Sequence, residues 1–192
     1  MKFLFVLTFI IISITFNVES NVIVYRTRKY ISKSEPESEV ELPIAQKTND
    51  YCCDVLEYTN DYRNRYRLTE LIGDTRLDEA ALIQCKNLIK VGNLVHDTLG
   101  TTLSSRVSRV NYEWGKLAEN ILFEKGYGAA SPYRAVDQWE NSPGHASNMR
   151  GDYNNIGSAF CESDSGRIYW VQVFGSGDNN NRYKYSKNSC KR

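Results

Sequence analysis

Between Cys53 and Tyr66 the residues Val55, Tyr58, Thr59, Tyr62 and Tyr66 recur at three- and four-residue intervals, which predicts an amphipathic helix. The Arg, Asn and Asp residues of YTNDYRNRYR fall between them. They read as the solvated face of that helix rather than as a base-stacking surface. A polar turn at Gly73-Asp74-Thr75 separates this helix from a second one. There Leu77, Ala81, Gln84, Leu88 and Val91 line one side, with Leu82, Cys85 and Ile89 adjoining. So broad an apolar stripe predicts a well-buried helix, with His96 at the end of the pattern. A short helical turn follows near Ser104–Val110. Ser131 and Pro132 open the next helix: serine is a favoured cap, worth about 1 kcal/mol, and proline suits the first helical position. Its apolar side carries Ala135, Val136 and Trp139, and the turn Ser142-Pro143-Gly144 ends it, leaving His145 in that turn.

The pattern then changes period. NNIGSAFCE and RIYWVQVFG are rich in β-branched and aromatic residues and flank the turn Ser163-Asp164-Ser165-Gly166, which predicts a hairpin. GKLAENILFE adds a further strand or extended element. Trp114 and Trp170 are expected to be packing anchors. Helices first, antiparallel strands last and one helix between them argue for α+β, or a layered α/β/α sandwich.

Upstream, Lys2, the fourteen-residue apolar run FLFVLTFIIISITF, and Val18 and Ser20 before a cleavage point read as a secretory signal over residues 1–20. The run is shorter than the roughly twenty residues that span a bilayer, so no membrane-spanning segment is expected. Residues 21–50, with KSEPESEVELP, read as a polar linker or pro-segment, and 51–192 as one domain ending in a short polar tail. Export implies an oxidising compartment for Cys52, Cys53, Cys85, Cys161 and Cys190. Five is an odd number, so one thiol stays free or joins another chain in a disulfide-linked dimer. The adjacent Cys52 and Cys53 are the expected source of the leftover, and Cys190 is expected to tether the tail. With 24 basic and 23 acidic residues interspersed, no nucleic-acid partner is indicated.

Only two histidines occur, His96 and His145, and the carboxylate of Glu119 falls between them. Two neutral imidazoles and a carboxylate can hold zinc or another divalent cation with an open position, and such a metal lowers the pKa of bound water. The same groups can instead form a polar cluster that bridges water. No nucleophile, base and oxyanion donors can be named together, so no catalytic residue is assigned. Gly126-Tyr127-Gly128 mimics a dinucleotide loop but lacks a βαβ setting, and Cys161 lies in a strand pattern without a protease signature.

VLEYTNDYRNRYRL, a second helix ending in a histidine, AENI, AVDQW, GH and the closing IYWVQVFG follow one another in that order over residues 52–176. Together they resemble the CAP superfamily of cysteine-rich secretory proteins, insect venom antigen 5 and plant pathogenesis-related class 1 proteins. The resemblance implies a three-layer α/β/α sandwich, an extracellular setting and a central cleft lined by two histidines and two acidic residues. His96, Glu119 and His145 match three of those positions, with His96 and His145 as the metal pair. The fourth position is Ser142 here; Glu140 and Asn148 complete the cleft's possible periphery. The implied role is an extracellular binding or effector module that takes a sterol, a fatty acid or a host or extracellular protein. A metal-dependent hydrolase and a disulfide-linked interaction domain are the alternatives.

Overall fold

The computed structural model describes residues 44–177 and 180–190, with side chains from Tyr51 onward. The expected signal sequence and residues 21–43 of the polar segment lie outside the described residues. Eleven named elements follow in order: α1 (Ile44–Arg65), β1 (Ile72–Asp74), α2 (Thr75–Val91), α3 (Leu103–Arg109), β2 (Trp114–Lys125), α4 (Pro132–Glu140), α5 (Pro143–Met149), β3 (Asn155–Glu162), β4 (Arg167–Gly177), β5 (Lys184–Tyr185) and α6 (Lys187–Cys190). Helix α1 thus begins inside the stretch read as a linker.

The strands form one sheet in the order β2-β4-β3-β1-β5, antiparallel except for β1 beside β3. Successive residues of a strand face opposite sides, and β4 shows what each side meets. Tyr169, Val171 and Val173 join Leu77, Ala81, Cys85 and Leu88 of α2 and Val107 of α3 in one buried cluster. The alternate residues face α1: Gln172 donates to Thr59 Oγ1 at 2.8 Å, and Trp170 stands edge-on to Tyr51 at 6.4 Å. The result is an α+β fold with helices on both faces of a mostly antiparallel sheet.

Local chemistry explains the boundaries. Asp74 caps α2, its side chain accepting from Arg76 N at 2.9 Å, and Gly92 closes that helix in the left-handed conformation (φ 71°). Gly157 lets β3 approach α2: a Cβ there would lie 2.2 Å from the backbone of Leu77 and Asp78. The Cys85–Cys161 disulfide locks the same pair of elements, and Cys53–Cys190 ties α6 to α1. Cys52 is the free cysteine, one of the adjacent pair expected to supply it.

Several expectations need correction. Gly73 and Asp74 belong to strand β1, because the turn expected there is drawn into the sheet by β3 and β5. Tyr66 lies beyond the end of α1 and is exposed, packed on Tyr62 at 5.0 Å with the Arg150 guanidinium over its ring. Trp114 is exposed at the start of β2, whereas Trp170 is buried and donates to Ala129 O at 2.9 Å. His145 sits in helix α5, not in a turn: Pro143 takes the first helical position, where its fixed φ is an asset.

Candidate functional site

Glu119 lies on β2, which is an edge of the sheet, and its side chain points into the layer of α2 and α3. Its carboxylate is buried and has two partners. Arg106 Nη2 on α3 donates to Oε2 at 2.6 Å, and His96 Nδ1 meets Oε1 at 2.9 Å. The Arg106 side chain is 0% exposed while that of His96 is 57% exposed, so the charge of the pair is internal and the imidazole reaches solvent. A carboxylate only accepts, so His96 carries its proton on Nδ1 when neutral, leaving the Nε2 lone pair free.

His96 lies on the loop after α2, not on the helix, and buried polar groups brace that loop. Gln84 Nε2 donates to Val95 O and His96 O at 2.7 and 3.1 Å, Thr98 Oγ1 donates to Gln84 Oε1 at 2.7 Å, and Arg106 Nη1 donates to His96 O at 3.0 Å. The braced loop leaves Leu94, Val95 and Leu99 exposed, the last in a left-handed conformation (φ 50°).

His145 approaches from the other side of β2. Asn120 Nδ2 donates to His145 O at 3.2 Å and to Gln172 Oε1 at 3.0 Å. Asn148, one turn further along α5, donates to Glu119 O at 3.3 Å and to Asn120 Oδ1 at 2.9 Å. The site therefore lies around β2, the outer strand of the sheet among the described residues, with one histidine on each flank. The imidazoles sense each other: burial lowers the pKa of His145, and the charge of His96 lowers it further. His96 shifts upward, chiefly through its hydrogen bond to Glu119 and against its own burial. Of the two imidazoles, His96 is thus the one that holds a proton more readily.

Of the expected periphery, Asn148 is in the network. Glu140 is paired with Arg65 of α1, and Ser142 precedes α5 without making a side-chain cap. No three His, Cys, Asp or Glu side chains converge as a metal site among the described residues. Any cation here would rest on the two imidazoles alone. Both Glu119 oxygens are engaged, and Glu119 instead orients His96 from behind, as carboxylates do for metal-binding histidines.

Arg106, Gln84 and Asn120 were not anticipated. One signal was present: Leu103, Arg106, Val107 and Val110 fall at helical spacing, placing an arginine on an apolar stripe where it requires a buried partner.

The sequence profile of the cysteine-rich secretory protein family, CAP, matches residues 56–174. Curated protein sequences give no significant match. Among solved structures, an outer surface protein from Borrelia burgdorferi is 21% identical with a TM-score of 0.57, covering 65% of this chain and 90% of its own. An extracellular protein containing a SCP domain from Bacillus anthracis is 22% identical with a TM-score of 0.61, covering 75% of this chain and 45% of its own. A cysteine-rich secretory protein from Staphylococcus aureus is 21% identical with a TM-score of 0.52, covering 75% and 44%. The chain thus spans less than half the length of the last two, and these likenesses bear on the fold. With a profile match over most of the folded region and a shared architecture, the chain belongs to the cysteine-rich secretory protein (CAP) family.

Proposed function

We propose that this is a secreted binding module whose cleft, at the edge of β2, takes an amphipathic lipid, a fatty acid or a sterol. The observation that carries this is the braced loop, which presents His96 beside the exposed aliphatic residues Leu94, Val95 and Leu99. Ligand sites are mostly apolar with a few fixed polar groups, and this lip has that composition. Protonated His96 adds a positive charge beside the balanced pair of Arg106 and Glu119, which suits the carboxylate of a fatty acid; its Nε2 suits a sterol hydroxyl. The apolar residues of α1 and α4 on offer as the walls of a groove, Val55, Ala135, Val136 and Trp139, are buried, and Tyr58 and Tyr133 meet edge-on at 5.6 Å at their margin. The lip is therefore the better candidate. Titration with labelled palmitate and cholesterol tests the reading: saturable binding that weakens in a Leu94→Ser/Val95→Ser variant supports it, and no saturable binding of either refutes it.

The free Nε2 of His96 favours a second reading, a divalent cation shared by His96 and His145. Such an ion would supply Lewis acidity and a more acidic bound water, the chemistry of a metal-dependent hydrolase. His96 would hold it with Glu119 fixing the ring, and His145 would be the partner able to stay neutral. Zinc should then raise the unfolding temperature of the parent protein and leave His145→Ala unchanged. Equal responses would reject this reading.

A further inference from the structure

Residues 181–190 lie across α1, β1 and the start of α2, far along the sheet from the histidine cleft. Lys184 Nζ donates to Asp74 Oδ2 at 2.7 Å and to Asn155 Oδ1 at 2.6 Å, and the Arg76 guanidinium lies 4.3 Å over the Tyr183 ring. Strand β5 pairs with β1 through two residues, Lys184 and Tyr185. Lys187 pairs with Glu57, and the Cys53–Cys190 disulfide pins the segment to α1. The Tyr185 ring fills the space that a side chain on Gly73 would need: a Cβ there would lie 2.2 Å from the ring.

Beneath that ring is a cluster the lipid reading does not use. The Tyr185 hydroxyl donates to Asp78 Oδ1 at 3.0 Å, and Ser158 N donates to the same oxygen at 2.7 Å. The free thiol of Cys52 donates to Ser158 O at 3.1 Å. Both residues are partly buried, and desolvation, with the nearby Asp78 charge after it, pushes this thiol well above its ordinary pKa and raises the Tyr185 phenol in the same way. A thiol held in that form is a poor nucleophile, since the thiolate is the reactive species.

We propose that residues 181–190 are a disulfide-pinned strap that keeps Cys52 chemically silent, and that opening the Cys53–Cys190 bond makes Cys52 available for mixed-disulfide formation. An external dithiol opens the bond with two electrons and two protons, leaving Cys53 and Cys190 as thiols and becoming a disulfide itself. Once the strap lifts, Cys52 loses its proton to solvent and attacks a small disulfide. A Cys52–sulfur bond forms, the small disulfide's bond breaks, and its other half leaves as a thiolate. With the pin gone, the strap keeps its two-residue strand pairing and side-chain bonds such as those of Lys184, Tyr185 and Lys187, and segments so short open locally at low cost.

Alkylation by iodoacetamide of the full chain, followed residue by residue with peptide mass mapping, tests this. In the parent protein Cys52 should react roughly a hundredfold more slowly than an exposed thiol. In Cys53→Ser/Cys190→Ser, and in Tyr185→Ala with both disulfides intact, it should react at least about tenfold faster than in the parent, while circular dichroism shows the fold retained. Rapid labelling of Cys52 in the parent overturns the proposal, as does an unchanged rate in Tyr185→Ala. Should the double serine variant fail to fold, Tyr185→Ala alone decides.

Discussion

Replacing Glu119 with glutamine asks whether the lip of the cleft is held by charge or by shape. The substitution keeps the side chain's outline but removes the countercharge of Arg106, whose side chain is fully buried. The single acceptor oxygen of the glutamine can serve Arg106 or His96 but not both, and the guanidinium is left without a countercharge beside the carbonyl oxygens of His96 and Thr101, at 3.0 and 3.4 Å. Its Nε has no partner even in the parent. Breaking a buried ion pair from one side costs about 3–5 kcal/mol because the remaining charge is uncompensated, against about 0–1 kcal/mol for an exposed pair. For a domain of this size that is a fall in Tm on the order of 10 °C. In Arg106→Met/Glu119→Gln no charge is stranded, so the double variant should recover most of the loss, a coupling that a double-mutant cycle measures directly. His96 adds a pH signature. Its folded-state pKa is raised by Glu119, so its contribution is complete below the ordinary histidine pKa and is lost as pH rises through the raised value. Urea unfolding at pH 5.5 and 8.5 should therefore show the larger Glu119→Gln deficit at pH 5.5. A deficit under about 1 kcal/mol, with the double variant no better than the single, would refute the account of a charge-held lip.

Removing the α2–β3 disulfide with Cys85→Ala/Cys161→Ala should cost about 4 kcal/mol from the loop it closes, read as a lower urea midpoint. Gly157→Ala should cost at least about 3 kcal/mol, or prevent folding, since the new methyl meets backbone that cannot step aside; soluble yield and thermal unfolding check it. Leu99→Gly should gain about 1 kcal/mol by relieving a left-handed leucine while weakening palmitate or cholesterol binding, so stability and affinity should move in opposite directions. Asp78 has a carboxyl raised to about 7, mainly by burial, so its ionisation subtracts stability as pH climbs from its unfolded value towards neutrality. The stability advantage of Asp78→Asn over the parent should accordingly grow between pH 5 and pH 8.

The strands and long helices were legible because their signals are local. The β-branched and aromatic run RIYWVQVFG and the cap and proline at Ser131-Pro132 are written within a few residues, and both became elements as expected. Strands β1 and β5 were not, because three and two residues carry no period; their partners on distant strands create them. Of the site, the histidines stood out by scarcity and family position, and the structure sets them on either flank of β2. What the sequence withheld was the wiring. Gln84 looks like one more position on the apolar face of α2 and is in fact the brace of the His96 loop. Arg63 falls on the face read as solvated, yet it is buried, donating to Thr69 O, Met149 O and Gly151 O. A residue's partners across the fold, not its spacing, decide such cases.

Strand β2 runs twelve residues along the rim of the sheet and has β4 on one side. A rim that long is a template on which a stray chain can add itself and begin an aggregate. Here Asn148 occupies a carbonyl at the middle of the rim, and Lys116 and Lys125 stand near its two ends. The same amide that ties α5 to Asn120 beside the two histidines thus also covers an acceptor on which a stray strand could pair. Replacing Asn148 would thus uncover a carbonyl on the rim as well as loosen α5, so solubility and packing are tied to one side chain.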